Sequence, residues 1–175
     1  MYKNKTLLLG VAIIIIALLS SCQQKPQNQN QGSQPTIMEE KIPDLSREKV
    51  RLGDIIEKNE LTIIDFWASW CGPCRHEMPA MIELYNDNKD KGLGIVGVSL
   101  DKEYADWKNA IDELGLPWPQ LSELRGWEET LALKMHVKAI PHTLLLDHQG
   151  NILAEGLHAE ELRQIIAKKL VKNNP

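Results

Sequence analysis

The feature that most constrains this chain is a pair of cysteines, Cys71 and Cys74, placed between a predicted strand and a predicted helix. Residues 61–67 read Leu-Thr-Ile-Ile-Asp-Phe-Trp, which is typical of a buried strand, and a helical pattern follows the cysteines. A sulfur on the last residue before a helix faces unpaired backbone N–H groups and the positive end of the helix dipole. Both favour the thiolate, which is the nucleophilic form of cysteine. The pair can therefore close a small disulfide ring and exchange two electrons with another dithiol.

The spacing predicts distinct roles for the two sulfurs. Cys71 precedes the helix and is predicted to be the exposed attacking thiolate, whereas Cys74 lies one turn later as the resolving thiol. Gly72 and Pro73 allow the backbone to turn into the helix, because proline is tolerated in a first helical turn.

Two structural alternatives for the cysteine pair are weaker. A zinc site needs about four ligands, usually from a second cysteine pair or closely spaced histidines. The sequence has three cysteines and five scattered histidines, so neither a metal nor any other cofactor is predicted. A purely structural disulfide would not need flanking tryptophans at a strand-to-helix junction.

The pattern of the whole chain predicts an α/β fold with a mixed central sheet flanked by helices, preceded by an N-terminal hairpin. Residues 43–52 suggest the hairpin, and residues 115–126 an irregular connection with a short strand near Trp118. Further strands are predicted at 61–67, 93–100, 143–146 and 152–155, the last two joined by a turn at 148–150. Helices are predicted at 75–89, 104–114, 128–135 and 162–170.

The first residues have the pattern of an export signal. Lys3 and Lys5 precede thirteen mostly apolar residues, 7–19. This run is shorter than the roughly 20 residues that a membrane-spanning helix needs. The Leu-Ser-Ser-Cys sequence that ends at Cys22 resembles a bacterial lipobox, so residues 1–21 are predicted to be a lipoprotein signal peptide and Cys22 the lipidation site. The alternative is an uncleaved anchor with an incidental Cys22.

The segment after Cys22 is predicted to be a tether. Residues 22–41 are rich in Gln, Asn and Pro and have few apolar side chains, so they cannot bury enough surface to fold. The globular domain is predicted to occupy residues 42–175. The net charge of −4 and the absence of a basic cluster exclude a nucleic-acid partner.

Asp65 lies in the middle of the apolar run 61–67 and has two readings. If the strand is central, its carboxyl group is buried and its pKa is raised. If the strand is at an edge, Asp65 can point at solvent. Alternation along the strand places it on the face opposite Ile64 and Phe66, which does not decide between the two.

Residues 65–74, Asp-Phe-Trp-Ala-Ser-Trp-Cys-Gly-Pro-Cys, closely resemble the active-site segment of thioredoxins. Pro79 falls where that family kinks its first long helix, and Ile140-Pro141 resembles its cis-proline loop. His142 after the loop proline, the run 98–101 and an inserted segment after the second core strand resemble the TlpA/ResA-like branch, which is related to AhpC/TSA proteins. This branch contains membrane-tethered thiol-disulfide oxidoreductases of bacteria, and the resemblance extends over residues 42–170.

The resemblance implies a thioredoxin-like fold and roles for several residues. Asp65 would lie behind Cys74 as its proton acceptor. The Ile140–Pro141 peptide bond would be cis and would press both residues against the disulfide. The surface that binds substrate would comprise Trp70, Gly72, Pro73, Ile140 and Pro141. His142, beside this loop, is expected at the surface, and the alternative is a catalytic role. The helical or loop spacing of Trp107, Trp118 and Trp127 predicts that they pack within the core or the inserted segment.

The function implied is that of a lipid-anchored extracytoplasmic reductant of protein disulfides, on the periplasmic side of a bacterial membrane. A membrane thiol donor would recharge it, and cytochrome c maturation is one use that the resemblance suggests. One rival is a thiol peroxidase of peroxiredoxin type. That family has Thr three residues before its reactive cysteine, where this chain has Ala68. The other rival is a non-enzymatic binding lipoprotein on the same scaffold.

Overall fold

A computed structural model describes residues 37–172 of the 175-residue chain. The predicted signal peptide, Cys22 and the tether up to residue 36 lie outside the described residues. Within the described part of the chain, no helix is long and apolar enough to span a bilayer.

The centre of the domain is a five-stranded sheet in the order β5-β4-β3-β6-β7. Its strands are β3 (Leu61–Trp67), β4 (Leu93–Ser99), β5 (Gln120–Leu121), β6 (His142–Asp147) and β7 (Ile152–Glu155). β4 runs parallel to both β3 and β5, whereas β6 is antiparallel to β3 and β7 is antiparallel to β6. The predicted mixed sheet of an α/β fold is therefore confirmed.

The N-terminal hairpin is also confirmed. β1 (Lys41–Pro43) pairs with β2 (Lys49–Arg51), and the turn between them is held by Asp44, whose carboxylate accepts hydrogen bonds from the backbone N–H groups of Ser46 and Glu48. A short helix, α1 (Leu52–Ile56), follows directly and was not predicted. Leu52 and Ile56 are both fully buried, because this single turn closes one end of the core.

Residues described before residue 42, the predicted start of the domain, also contact the core. Residues Ile37–Glu39 form a 3-10 helix, and the side chain of Ile37 is buried in the core. At least one residue of the predicted tether therefore contributes to the core of the domain. One isolated apolar residue gives no periodic signal, so its packing was not visible in the sequence.

Four further helices flank the sheet: α2 (Gly72–Asn88), α3 (Tyr104–Leu114), α4 (Thr130–Lys134) and α5 (Ala159–Lys172). α2 packs against both α3 and α5. Its buried face contains Cys74, Met78, Met81 and Leu84, and Ile82 and Tyr85 are partly buried against the core. α2 thus brings the second cysteine of the pair into the core.

A buried hydrogen bond connects β3 to β5 across β4. The indole N–H of Trp67 donates to Oε1 of Gln120 at 3.0 Å, and both residues are buried. Gly97 of β4 pairs with Gln120 and lies beneath this bond, so a Cβ atom at Gly97 would collide with the Gln120 amide. Glycine is required here by close approach rather than by backbone conformation.

Replacing Gly97 by Ala is expected to lower the free energy of unfolding by about 1–3 kcal/mol, because the added methyl must displace the buried Gln120 amide. Chemical denaturation of the oxidised protein measures this change. The matched control is Gly72→Ala, because a Cβ atom at Gly72 meets nothing within 4 Å. Equal stability of the Gly97 variant and the parent would contradict the packing described.

Candidate active site

The two cysteines lie where the central strand gives way to α2. Cys71 is the N-cap of α2, with an extended backbone, and the backbone N–H of Cys74 donates a hydrogen bond to its sulfur at 3.2 Å. The two Sγ atoms form a disulfide bond of 2.06 Å. Pro73 lies in the first helical turn, where its missing N–H leaves no intrahelical bond unmade. The sequence therefore places a redox pair directly at the positive end of a 17-residue helix.

Both sulfurs are buried in this disulfide form. Cys71 is 5% exposed and Cys74 is 1% exposed, so the prediction that Cys71 is exposed is wrong here. One reason is the neighbouring loop: the carbonyl oxygen of Ile140 lies 3.8 Å from Sγ of Cys71. The resemblance predicted that Ile140 contacts the disulfide, but it did not predict that Cys71 is buried.

The covering loop has the predicted backbone. The Ile140–Pro141 peptide bond is cis, and both residues are half-buried. β6 begins directly afterwards, and Oγ1 of Thr143 donates to the carbonyl oxygen of Leu157 at 2.6 Å. The loop thus continues into β6, which is bonded to Leu157, and it contacts the disulfide through Ile140.

The turn before Cys71 is anchored by a buried carboxylate. Asp101 accepts hydrogen bonds from the backbone N–H of Ser69 at 3.0 Å and from its hydroxyl at 2.6 Å. The hydroxyl of Ser99 donates to the same carboxylate at 2.6 Å. Charge-assisted bonds of this kind are shorter and stronger than neutral ones. Asp101 therefore fixes the backbone that positions Trp70 and Cys71.

Asp65 is buried behind the second cysteine. It is 3% exposed and lines a narrow crevice with Cys74, Met78 and Pro141. Because β3 is the middle strand of the sheet, the reading of Asp65 as a solvent-facing residue on an edge strand is wrong. Burial, followed by the nearby negative charge of Glu77, raises the pKa of Asp65 to about 7. Its Oδ2 atom has no hydrogen-bond partner among the described residues.

A second acid at the crevice, Glu77, was not found from the sequence. Its carboxylate accepts from the backbone N–H of Ala159 at 2.7 Å and lies 3.0 Å from Nδ1 of His158. Contact with Glu77 raises the pKa of His158. Glu77 is three residues after Cys74 and thus on the same helical side, a spacing that could have suggested it.

The surface around the disulfide is apolar and open on one side. Trp70 is 57% exposed, and Gly72 and Pro73 are also exposed. The ring of Trp70 lies 6.5 Å, centroid to centroid, from that of Trp127, which is 44% exposed. Trp107 and Trp118 are buried as predicted, but Trp127 is not, so its assignment to the packed interior is wrong.

The two histidines near the pair differ in exposure. His76 is exposed. His142 is half-buried against the ring of Phe66, with a centroid distance of 6.1 Å, so its expected surface position is wrong. In residues 37–172, no group of three His, Cys, Asp or Glu side chains is arranged to hold a metal ion.

The buried Asp65 predicts a pH-dependent stability. The carboxyl ionises at about pH 7 when folded, but at about pH 3.9 in an unfolded chain. Between these values the folded state holds one more proton, so stability falls as pH rises. The free energy of unfolding of the parent relative to Asp65→Asn is therefore expected to fall between about pH 4 and pH 7 by on the order of 4 kcal/mol, and to level off above.

Denaturation of the oxidised proteins at each pH measures this difference. Glu77→Gln serves as the coupled variant. Without the charge of Glu77, the free energy of unfolding should stop falling at a lower pH, because Glu77 helps to raise the pKa of Asp65. A difference that is flat from pH 4 to pH 8 would show that Asp65 is not the buried acid described.

Comparisons with known proteins agree with this geometry. Residues 35–155 match the model of the AhpC/TSA family. The thiol-disulfide oxidoreductase ResA of Oceanobacillus iheyensis is 30% identical over 153 residues, which cover 86% of this chain and 77% of that protein. The thioredoxin domain of a thiol-disulfide oxidoreductase from Bacteroides vulgatus superposes with a TM-score of 0.68 at 33% identity, covering 75% of this chain and 92% of that one.

A thiol-disulfide oxidoreductase from Bacteroides fragilis is also similar, with a TM-score of 0.69 at 27% identity over 74% of this chain and 95% of that one. All three relatives are named as thiol-disulfide oxidoreductases. The disulfide at the N-terminus of α2 is the group that such a reaction needs. The chain belongs to the AhpC/TSA family and is a thioredoxin-like thiol-disulfide oxidoreductase of the ResA-like branch, with Cys71 and Cys74 as its cysteine pair.

Proposed function

We propose that this protein is a membrane-tethered, extracytoplasmic reductant of protein disulfides that acts through Cys71 and Cys74. The observation that carries the proposal is the disulfide at the N-terminus of α2 with a buried carboxyl group, Asp65, behind Cys74. This arrangement supplies a nucleophile, a resolving thiol and a proton acceptor within one site.

In the first step, the Cys71 thiolate of the reduced protein attacks one sulfur of a substrate disulfide. A mixed disulfide forms, and the other substrate sulfur leaves as a thiolate, which takes up a proton. The backbone N–H of Cys74 and the helix dipole favour the Cys71 thiolate before attack. Trp70, Gly72, Pro73, Ile140 and Pro141 form the surface over which the substrate chain lies.

In the second step, Cys74 attacks Sγ of Cys71 and releases the second substrate thiol. Cys74 must first lose its proton, and Asp65 lines the same narrow crevice. With a pKa of about 7, Asp65 can accept that proton near neutral pH. In sum, two protein thiols become one disulfide, and one substrate disulfide becomes two thiols.

Glu77 acts on this step through Asp65. Its charge raises the pKa of Asp65, and it is itself held by Ala159 and His158. Glu77 therefore adjusts the basicity of Asp65 without contacting substrate.

The lipid anchor at Cys22 is proposed from the sequence alone. The signal-peptide pattern before Cys22 supports export and lipidation, with the tether giving the domain reach from the membrane. In an oxidising compartment the pair drifts towards the disulfide, so a membrane thiol donor must recharge it. Cytochrome c maturation is one process that needs such a reductant.

The rival functions fit the site less well. A thiol peroxidase of peroxiredoxin type would have a threonine hydroxyl three residues before Cys71, but Ala68 stands there and is fully buried. A non-enzymatic scaffold would have no use for a bonded cysteine pair beside an unpartnered buried acid. A peroxide-consumption assay separates the first rival from the proposed activity.

The direct experiment is to trap the mixed disulfide. In Cys74→Ser the first step can occur but the second cannot, so a covalent adduct on Cys71 with a protein disulfide such as insulin is expected to persist. Mass spectrometry of the adduct identifies the bonded cysteine. Cys71→Ser is the matched control and should form no adduct. Adducts in the control but not in Cys74→Ser would reverse the roles.

The redox potential is expected to lie near that of thioredoxin, about −270 mV, rather than near the about −120 mV of the oxidant DsbA. Gly72 and Pro73 bring no charge that would stabilise the Cys71 thiolate further, and Arg75 is paired with Glu113 at 2.8 Å. Equilibration with dithiothreitol mixtures measures the potential. Pro73→His should raise it, because an added cation favours the thiolate; a parent value near DsbA would make the protein an oxidant.

Lipidation is tested separately. Cys22→Ala is expected to abolish labelling by a lipid precursor and to leave an uncleaved or released protein, because the acylated sulfur is missing. Membrane fractionation of cells that express each form gives the readout, with Cys71→Ser as a control that retains labelling. Unchanged labelling of Cys22→Ala would contradict the anchor.

A further inference from the structure

Two exposed tryptophans stand side by side next to the reactive sulfur. Large exposed apolar side chains in residues 37–170 include Trp70, Trp127, Leu133 and Ile152, and the two tryptophans contact each other with a ring-centroid distance of 6.5 Å. We call Trp70 and Trp127 the tryptophan pair. Trp70 is adjacent to Cys71 in sequence, whereas Trp127 comes from the inserted segment.

The tryptophan pair is held in place by one buried residue. The carboxylate of Asp101 binds the backbone N–H and hydroxyl of Ser69, the residue before Trp70. The carbonyl oxygen of Asp101 accepts a hydrogen bond from the backbone N–H of Gly126, the residue before Trp127, at 3.3 Å. Both backbones are therefore fixed by Asp101, which is 1% exposed.

The turn that carries Trp127 has an unusual backbone. Gly126 has a φ of +61°, which a residue with a side chain rarely adopts, and a Cβ atom there would meet the side chain of Lys102. The inserted segment thus uses a glycine to deliver Trp127 to the side of Trp70. A preformed surface of this kind binds a partner without a large ordering cost.

Packing within the domain does not account for the tryptophan pair. Both residues keep about half of their surface in solvent, so neither contributes the full free energy that burial of a tryptophan would give. Exposed tryptophans that adjoin a reacting group are typical of binding surfaces. Trp70 is the residue before Cys71, the sulfur of which a substrate disulfide must reach, and Trp127 contacts Trp70.

We propose that Trp127 determines substrate preference: it receives an apolar side chain of the extended substrate segment that carries the target cysteine, and Trp70 contacts a second residue of that segment. The proposal rests on the proposed disulfide reduction. A substrate bonded to Cys71 passes over Trp70, and the next side chain on the same face of an extended chain lies about 7 Å further on. That spacing matches the separation of the two rings, so Trp127 meets a residue about two positions from the one over Trp70.

The test compares two peptide disulfides that differ only in one residue near the cysteine, Leu or Ser, with the full chain purified in detergent and fully reduced. The parent is expected to reduce the Leu peptide with a kcat/KM about five-fold higher than the Ser peptide, as the burial of one apolar side chain against an aromatic ring allows. Trp127→Ala should lose that preference, and Trp127→Phe should retain most of it. Far-UV circular dichroism checks that each variant is folded.

Ile152→Ala is the matched control. Ile152 is also an exposed apolar residue, but it pairs with Leu146, which pairs with Thr62 near the start of β3, so it lies at the opposite end of the sheet from the disulfide. This variant should keep the parent preference.

Three results would overturn the inference. One is an equal loss of rate on both peptides in Trp127→Ala, and another is a Leu preference that survives in that variant. The third is a dimer of the parent that dissociates in Trp127→Ala, measured by sedimentation, which would assign the tryptophan pair to self-association. A parent that reduces neither peptide would instead remove the proposed function on which this inference rests.

Discussion

The position of β3 in the middle of the sheet is the constraint on which the rest of this site depends. β3 is paired with β4 on one side and β6 on the other, and its C-terminal end continues into the turn that Asp101 anchors. That turn places Cys71 at the N-terminus of α2, and the inner face of β3 places Asp65 beneath Cys74. The positions of Cys71 and Asp65 thus both depend on β3.

The same geometry makes the site electrostatically asymmetric. Cys71 faces the positive end of a helix, whereas Cys74 faces a buried carboxyl group that is itself close to Glu77. The helix N-terminus favours the thiolate form of Cys71, and in the proposed mechanism Asp65 is the group that takes the proton of Cys74. Oδ2 of the buried Asp65 has no hydrogen-bond partner among the described residues, which costs stability, and the proposed role as a base gives a reason for keeping an acid at this position.

Much of this architecture could be predicted from the sequence, because the strands and long helices have strong apolar patterns, and the cysteine pair defines the strand-to-helix junction. The pattern could not show whether Asp65 lies at an edge or in the centre, since alternation is the same in both cases. Glu77, Asp101 and Trp127 gain their roles from contacts between elements distant in the chain. Ile37 and α1 were missed because a single residue or a single turn carries no periodicity.

The asymmetry of the two sulfurs is the central claim, and it is tested most directly by their separate alkylation rates in the reduced protein. Peptide mass spectrometry after brief iodoacetamide treatment, from pH 5 to pH 9, resolves labelling of Cys71 from labelling of Cys74. The account predicts that Cys71 is labelled much faster near pH 7, because the N–H of Cys74 and the helix N-terminus favour its thiolate. Faster labelling of Cys74, or equal rates at every pH, would contradict it.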